Sequence, residues 1–277
     1  MGDLLQLAAS PEILNLAWKR LKNDNSVWSN GISRREMEKN LIQHILQLSR
    51  ELSQGIYTPD PIRMFPVLKG DGKKRIISAL TLRDKLAQRA VLSVLTPIAE
   101  NLFHHDSFGY RPKRSIDMVM SRIREHIRCD YYWIVDADIK SFFDNIPHKK
   151  LKANLKKIIP DKELLQLIIK WLDVGTPRTG ILSKRRGIPQ GGVISPLLCN
   201  IYLTTFDNYL TSNNLPFVRF ADDFMIFTPT RQAANFAMGC VEKGLKRLEL
   251  ELNTLKTRIV RCSPKVIFVG RKLPRVK

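Results

Sequence analysis

Hydrophobic positions along the chain change period several times, and each change marks an element. Ser33 followed by Glu36 makes a capping box for a helix running to about Ser53. Met37, Leu41, Ile45, Leu48 and Leu52 form its apolar stripe, and Gly55 stops it. Residues 62–68 and 75–80 read as strands joined by the charged turn 69–74, with Pro66 restricting the first to a sheet edge. Thr81 and Asp84 resemble a second capping box, opening a helix that carries Leu86, Val91 and Leu95. Ser115 caps another that ends near Cys129. In 131–138 the alternation predicts a strand with Trp133, Val135 and Ala137 on one face and Ile134, Asp136 and Asp138 on the other.

Asp161 starts a helix through Trp171, and 176–186 reads as a basic loop. Ser195-Pro196 is an N-cap and first-turn pair for a helix to about Leu210. A β-hairpin follows, then a helix over 232–250 and strands near 258–261 and 265–269. Helices and strands mix without regular βαβ alternation, so the expected class is α+β.

Composition adds a partner. Of 277 residues, 46 are Lys or Arg and 26 are Asp or Glu, a net charge of +20 spread along the chain. An excess of this size on a sequence able to build a core points to a polyanion, with nucleic acid first. The four cysteines are far apart and imply reduced thiols rather than a zinc site. No signal peptide or membrane-spanning run stands out, so the expected location is cytoplasmic, with no membrane partner.

The chemistry concentrates in acids placed where apolar strands should be. Asp222 and Asp223 lie between Arg219-Phe220 and Phe224-Met225-Ile226-Phe227, at or beside a hairpin tip. Neighbouring acids in an apolar strand are costly unless paired or bound to metal. If the strand carrying Asp138 lies in the same sheet, three carboxylates converge. That set could hold two Mg2+ ions (or Mn2+ in their place) for in-line phosphoryl transfer. Asp136 is expected to be solvated or hydrogen-bonded.

Four segments resemble motifs of bacterial group II intron-like reverse transcriptases. Residues 135–148 (VDADIKSFFDNIPH) are similar to the first palm motif, and 187–203 (GIPQGGVISPLLCNIYL) to the "P-Q-G-x-x-x-S-P" motif. Residues 219–224 (RFADDF) are similar to the "Y-A-D-D" motif with Phe220 for Tyr, and 107–112 (SFGYRP) to "S-x-G-F-R-P". The resemblance implies a right-hand polymerase in which an antiparallel palm sheet packs on helices. Fingers would occupy 1–130 and palm 131–277, with a fingers-type excursion around 150–186. No room is left for a thumb, maturase or nuclease domain, and a partner, an RNA or another protomer would supply the thumb.

The resemblance also assigns roles. Asp138, Asp222 and Asp223 would hold the metals with the carbonyl of Ile139. Phe143 would exclude a ribose 2′-OH, while Gln190 and Gly191 would pack against the incoming nucleotide. Lys69 and Arg75 would grip its triphosphate, and Lys256 would protonate pyrophosphate. Arg111 is a motif residue without an assigned role. The implied partners are an RNA template, a DNA product and dNTPs. Noncoding RNA or CRISPR integrase proteins are further candidates, with spacer acquisition or anti-phage defence as the setting. Two other readings stay open at this stage, a non-catalytic nucleic-acid-binding scaffold and an RNA-templated RNA polymerase.

Overall fold

A computed structural model describes residues 3–21, 31–68, 74–176 and 185–276. In chain order the elements begin with α1 (Asp3–Ala9), α2 (Pro11–Lys19), α3 (Arg34–Lys39), α4 (Leu41–Ser53), β1 (Arg63–Leu68), β2 (Lys74–Ala79) and α5 (Leu82–Glu100). Next come α6 (Ile116–Arg128), β3 (Trp133–Asp138), α7 (Phe142–Asn145), α8 (His148–Ile158), α9 (Lys162–Val174) and α10 (Ser195–Ser212). The chain finishes with β4 (Phe217–Phe220), β5 (Asp223–Thr228), α11 (Arg231–Arg247), β6 (Arg258–Arg261), β7 (Ile267–Phe268) and β8 (Arg271–Lys272). No helix among the described residues is long and apolar enough to cross a membrane.

Two compact units emerge, one of residues 1–101 and 147–198, the other of 102–146 and 199–277. The sequence reading put its division at 130 instead. The units divide earlier because α6 buries Val119, Met120, Ile123 and Ile127 in the same core as Ile134, Val218, Met225 and Phe227 of the sheet. A helix whose apolar stripe is covered by a sheet folds with that sheet.

The first unit is helical, with the β1–β2 ribbon as its only sheet among the described residues. Helix α5 packs on α1 and α2, and α1 on α4. The Ser33 capping box forms as expected, but the helix it opens is interrupted at Asn40 (φ −128°, ψ 35°) and resumes as α4. Thr81 accepts from the Asp84 N–H, yet Asp84 does not close a box. Its buried carboxylate instead accepts from the Tyr57 hydroxyl and, at 2.9 Å, from the Asp60 N–H. Ser195 is a second correction: it is the first residue of α10 rather than the residue before it, the Leu198 N–H donates to the Ile194 carbonyl (3.2 Å), and the Ser195 hydroxyl donates to the Pro189 carbonyl (2.7 Å).

The second unit is built on a four-stranded antiparallel sheet of order β4-β5-β3-β6. Helix α11 packs across β3, β5 and β6. It closes on α10 at Gly244, where an added Cβ would stand 2.7 Å from the Tyr209 ring. Phe206 of α10 meets Phe224 of β5 edge to face, centroids 5.2 Å apart. Strand β3 therefore has neighbours on both sides, and its alternation is two-sided: Ile134, Val135, Ala137 and Asp138 are all buried. The carboxy-terminal strand reading resolves into two short strands, β7 paired with β8.

Asp161 illustrates how one side chain fixes a helix start. Its carboxylate accepts from the N–H groups of Glu163 (3.1 Å) and Leu164 (3.0 Å) and also from Leu5 (2.8 Å), tying α1 to α9. Asp161→Ala leaves three donors without this acceptor and is expected to destabilise the protein by about 2 kcal/mol. Urea denaturation measures this; a change below about 0.5 kcal/mol, the size of an ordinary surface substitution, contradicts it.

Candidate active site

The acids meet because of strand register. Asp138, last in β3, is the direct antiparallel partner of Asp223, first in β5. Directly opposed residues in such a pair hold their Cβ atoms about 5 Å apart on one face. Asp222 sits in the two-residue tip between Phe220 and Asp223, which are themselves partners. Ile139 follows directly from β3 and bridges to Leu252, while the Lys140 N–H donates to the Glu251 carbonyl at 2.9 Å. A fixed backbone therefore presents the segment 138–140.

The electrostatics of this group are those of crowded like charges. Burial first, then Asp222 and Asp138, raise the Asp223 carboxyl from 3.8 to about 7, although much of the residue faces solvent. Lys256 opposes that rise. Its Nζ lies 3.0 Å from Asp138 Oδ2, and this hydrogen bond raises its own pKa, keeping it cationic. The Asn253 side-chain amide donates to the same oxygen (2.8 Å), and the Asn253 backbone N–H donates to the Asp138 carbonyl (2.8 Å). Asp136 is taken by Arg258, Nη2 to Oδ2 at 3.0 Å, in keeping with a hydrogen-bonded rather than a ligand role.

An all-oxygen donor set at the end of the two central strands, with one carboxyl held above its ordinary value by its neighbours, fits a hard divalent cation. The three acids are spread more widely than a single compact cage. Among the described residues, the one set of three candidate ligand atoms within 4.8 Å of one another is His104, His105 and Asp106. There Asp106 is already held by Arg122 at 2.7 and 3.1 Å, so that acid is neutralised.

Phe143 lies buried in α7, edge to face with Phe142 at 5.7 Å. The remaining expected residues belong to the other unit. There the Arg75 guanidinium donates to Gln190 Oε1, and the Gln190 carbonyl accepts from the Ser78 N–H at 2.7 Å. Gly191, at φ 112°, passes so close to β2 that a Cβ would lie 2.5 Å from the Ser78 oxygen. Gly192 likewise crowds Ser195, at 2.4 Å. The tight approach at both glycines is to the protein's own chain. Lys69 lies outside the described residues.

Comparison with known proteins gives the family of the chain. The family described as "Reverse transcriptase (RNA-dependent DNA polymerase)" matches residues 67–273. The chain belongs to that family. It therefore carries the reverse transcriptase fold, of α+β class. Protein YkfC of Escherichia coli (strain K12) is 30% identical over 98% of this chain and 83% of its own length. The group II intron-encoded protein LtrA of Lactococcus lactis subsp. cremoris is 32% identical over 87% of this chain. A solved chain described as part of a partial Cas6-RT-Cas1–Cas2 complex is 27% identical over 89% of this chain, with a TM-score of 0.51. This reverse transcriptase spans 40% of LtrA and 42% of that solved chain.

Several residues that shape the candidate site had roles that were not legible in the sequence. Asn253 is one polar residue among many in its segment, yet it holds Asp138 twice. Gly109 sits within the "S-x-G" match, but only the fold shows why it must be glycine: a Cβ would lie 2.3 Å from the Ala221 nitrogen. Arg111 proves structural, its Nη1 donating to the carbonyls of His104 (2.7 Å) and Ser107 (2.5 Å).

A pH dependence follows from the raised Asp223 carboxyl. Between 3.8 and about 7 only the folded state holds this proton, so the group's contribution to stability declines as pH rises through that window. A divalent cation bound to this carboxyl would have to displace the same proton. Mg2+ affinity is therefore expected to fall as pH drops below about 7, and Asp222→Asn should move the Asp223 titration, followed by carboxyl 13C NMR, to lower pH. A metal-free Asp223 that titrates near 4 contradicts this.

Proposed function

We propose that this chain extends a primer with deoxynucleotides on an RNA template, using the 102–146 and 199–277 unit as palm and the other unit as fingers. The observation that carries the reading is the pairing of Asp138 with Asp223 beside the Asp222 tip. Asp138, Asp222 and Asp223 would hold two Mg2+ ions, or Mn2+, with the Ile139 carbonyl as a further ligand. Bound there, the ions supply charge neutralisation and activation of the attacking oxygen.

The chain's own residues supply position and protons. Asn253 and Lys256 fix the Asp138 carboxylate. Lys256, cationic and beside the acids, would give a proton to departing pyrophosphate. Arg75 offers a planar guanidinium for bidentate phosphate contact, oriented by Gln190. Lys69 would add a second cation for the triphosphate, as the resemblance implies. Phe143 limits the space at the sugar and so favours deoxynucleotides over ribonucleotides.

The likeness to a chain whose description names Cas1 and Cas2 supports a place in spacer acquisition, with integrase proteins as partners. Co-purification of a Cas1-type integrase with the tagged chain tests that setting, and its absence from a host that encodes one argues for another defence pathway.

Two measurements test the polymerase reading. Wild type should extend a DNA primer on RNA with dNTPs, and Asp222→Asn should lose roughly 10³-fold or more of that rate while its melting temperature stays at or above wild type. Extension that survives in Asp222→Asn contradicts the assignment. Phe143→Ala should relax dNTP-over-NTP selection by roughly 10–100-fold, and unchanged selectivity removes the gate from Phe143.

A further inference from the structure

The acid-bearing tip rests on a buried charge whose size is out of proportion to a surface hairpin. Arg219 is fully buried, as is Asp207, and Asn200 is nearly so. The Arg219 guanidinium makes a two-pronged pair with Asp207, Nε to Oδ1 at 2.7 Å and Nη2 to Oδ2 at 2.6 Å. Its remaining nitrogen, Nη1, donates to Asn200 Oδ1 and to the Ala221 carbonyl, both at 2.9 Å. The Asn200 side-chain amide donates in turn to the Gly109 carbonyl at 2.8 Å.

Ala221 is the residue immediately before Asp222, and it adopts a left-handed φ of 61°. That conformation is disfavoured for a residue with a Cβ and persists only where surroundings impose it. The backbone of Arg219 is bound as tightly as its side chain. Its N–H donates to the Asp106 carbonyl (2.9 Å), and its carbonyl accepts from the Phe108 N–H (2.8 Å). Gly109 then lies against the Ala221 nitrogen with no space for a side chain.

Resting on the polymerase reading of this site, we propose that Arg219, with Asp207 and Asn200, is a positioning clamp that fixes Asp222 through the Ala221 carbonyl. Asp207 aligns the guanidinium and balances its charge. Asn200 directs Nη1 toward the tip. Arginine suits the task because one planar fork serves a carboxylate and two further acceptors at once, which a lysine ammonium at the end of a flexible stem cannot reproduce. The clamp touches neither substrate nor metal; it acts through the tip.

Hydrogen exchange and kinetics together separate a clamp from a plain core contact. Arg219→Lys keeps the charge opposite Asp207 but not the reach to Ala221. It should fold with near-wild-type circular dichroism while metal-free exchange of the 220–223 amides quickens roughly tenfold. Its kcat should fall by about 10²-fold, with KM for dNTP and primer–template little changed. If Arg219→Lys does not fold, the double variant Arg219→Met with Asp207→Leu removes both buried charges together. It should then be stable yet show the same loose tip and lowered kcat. A folded variant of either kind with wild-type tip exchange and wild-type kcat overturns the clamp. Exchange is read without turnover, so a wild type inactive in primer extension would sink the polymerase reading while the clamp is still decided.

Discussion

Everything in the acid-bearing unit depends on one pairing, Asp138 directly across from Asp223 in adjacent antiparallel strands. Like charges placed directly opposite destabilise a sheet, and a third acid at the next residue of the tip aggravates the repulsion. The sheet tolerates this because the cost is distributed. Lys256 and Asn253 hold one carboxylate, and Asp223 retains its proton up to about pH 7. A divalent cation would relieve what remains. The site is thus electrostatically incomplete as a protein alone, which is what a metal-dependent phosphoryl-transfer centre requires.

Strain and burial concentrate behind that pairing. Ala221 takes a backbone conformation it would avoid alone, Gly109 makes room for it, and the buried Arg219–Asp207 pair holds it. Apolar residues of similar size in place of a buried ion pair can be as stable or more so. Its presence under the acid-bearing tip therefore points to placement rather than stability as its purpose. In the other unit Gln190 plays a comparable part, tied to β2 through its carbonyl and to Arg75 through its side chain.

How much of this was legible in the sequence varies with the physics. Capping residues and strand alternation are local, so Ser33, Thr81, Ser115 and Asp161 all stand at helix starts as read, and β3 begins within two residues of its expected start. The break at Asn40 was hidden because the apolar stripe runs through it unbroken. Ser195 misled because a serine before proline fits a cap, while the helix begins one residue earlier, on the Ile194 carbonyl. The acids were legible as chemistry, since carboxylates in apolar strands require an explanation. Their register was not, because nothing in 131–138 states which strand lies beside it. The supports of the site were least legible of all. Asn253, Asn200 and Asp207 act across sequence separations of 115, 19 and 12 residues, and each looks ordinary in its own segment.

The central claim is that Asp138, Asp222 and Asp223 form one metal-binding group, completed by substrate. The most direct measurement counts Mn2+ ions by electron paramagnetic resonance on the protein bound to a primed RNA template and a non-hydrolysable dNTP analogue. The account predicts two bound ions in the wild type and a loss of at least one in Asp138→Asn. Binding that is the same in both proteins would contradict it.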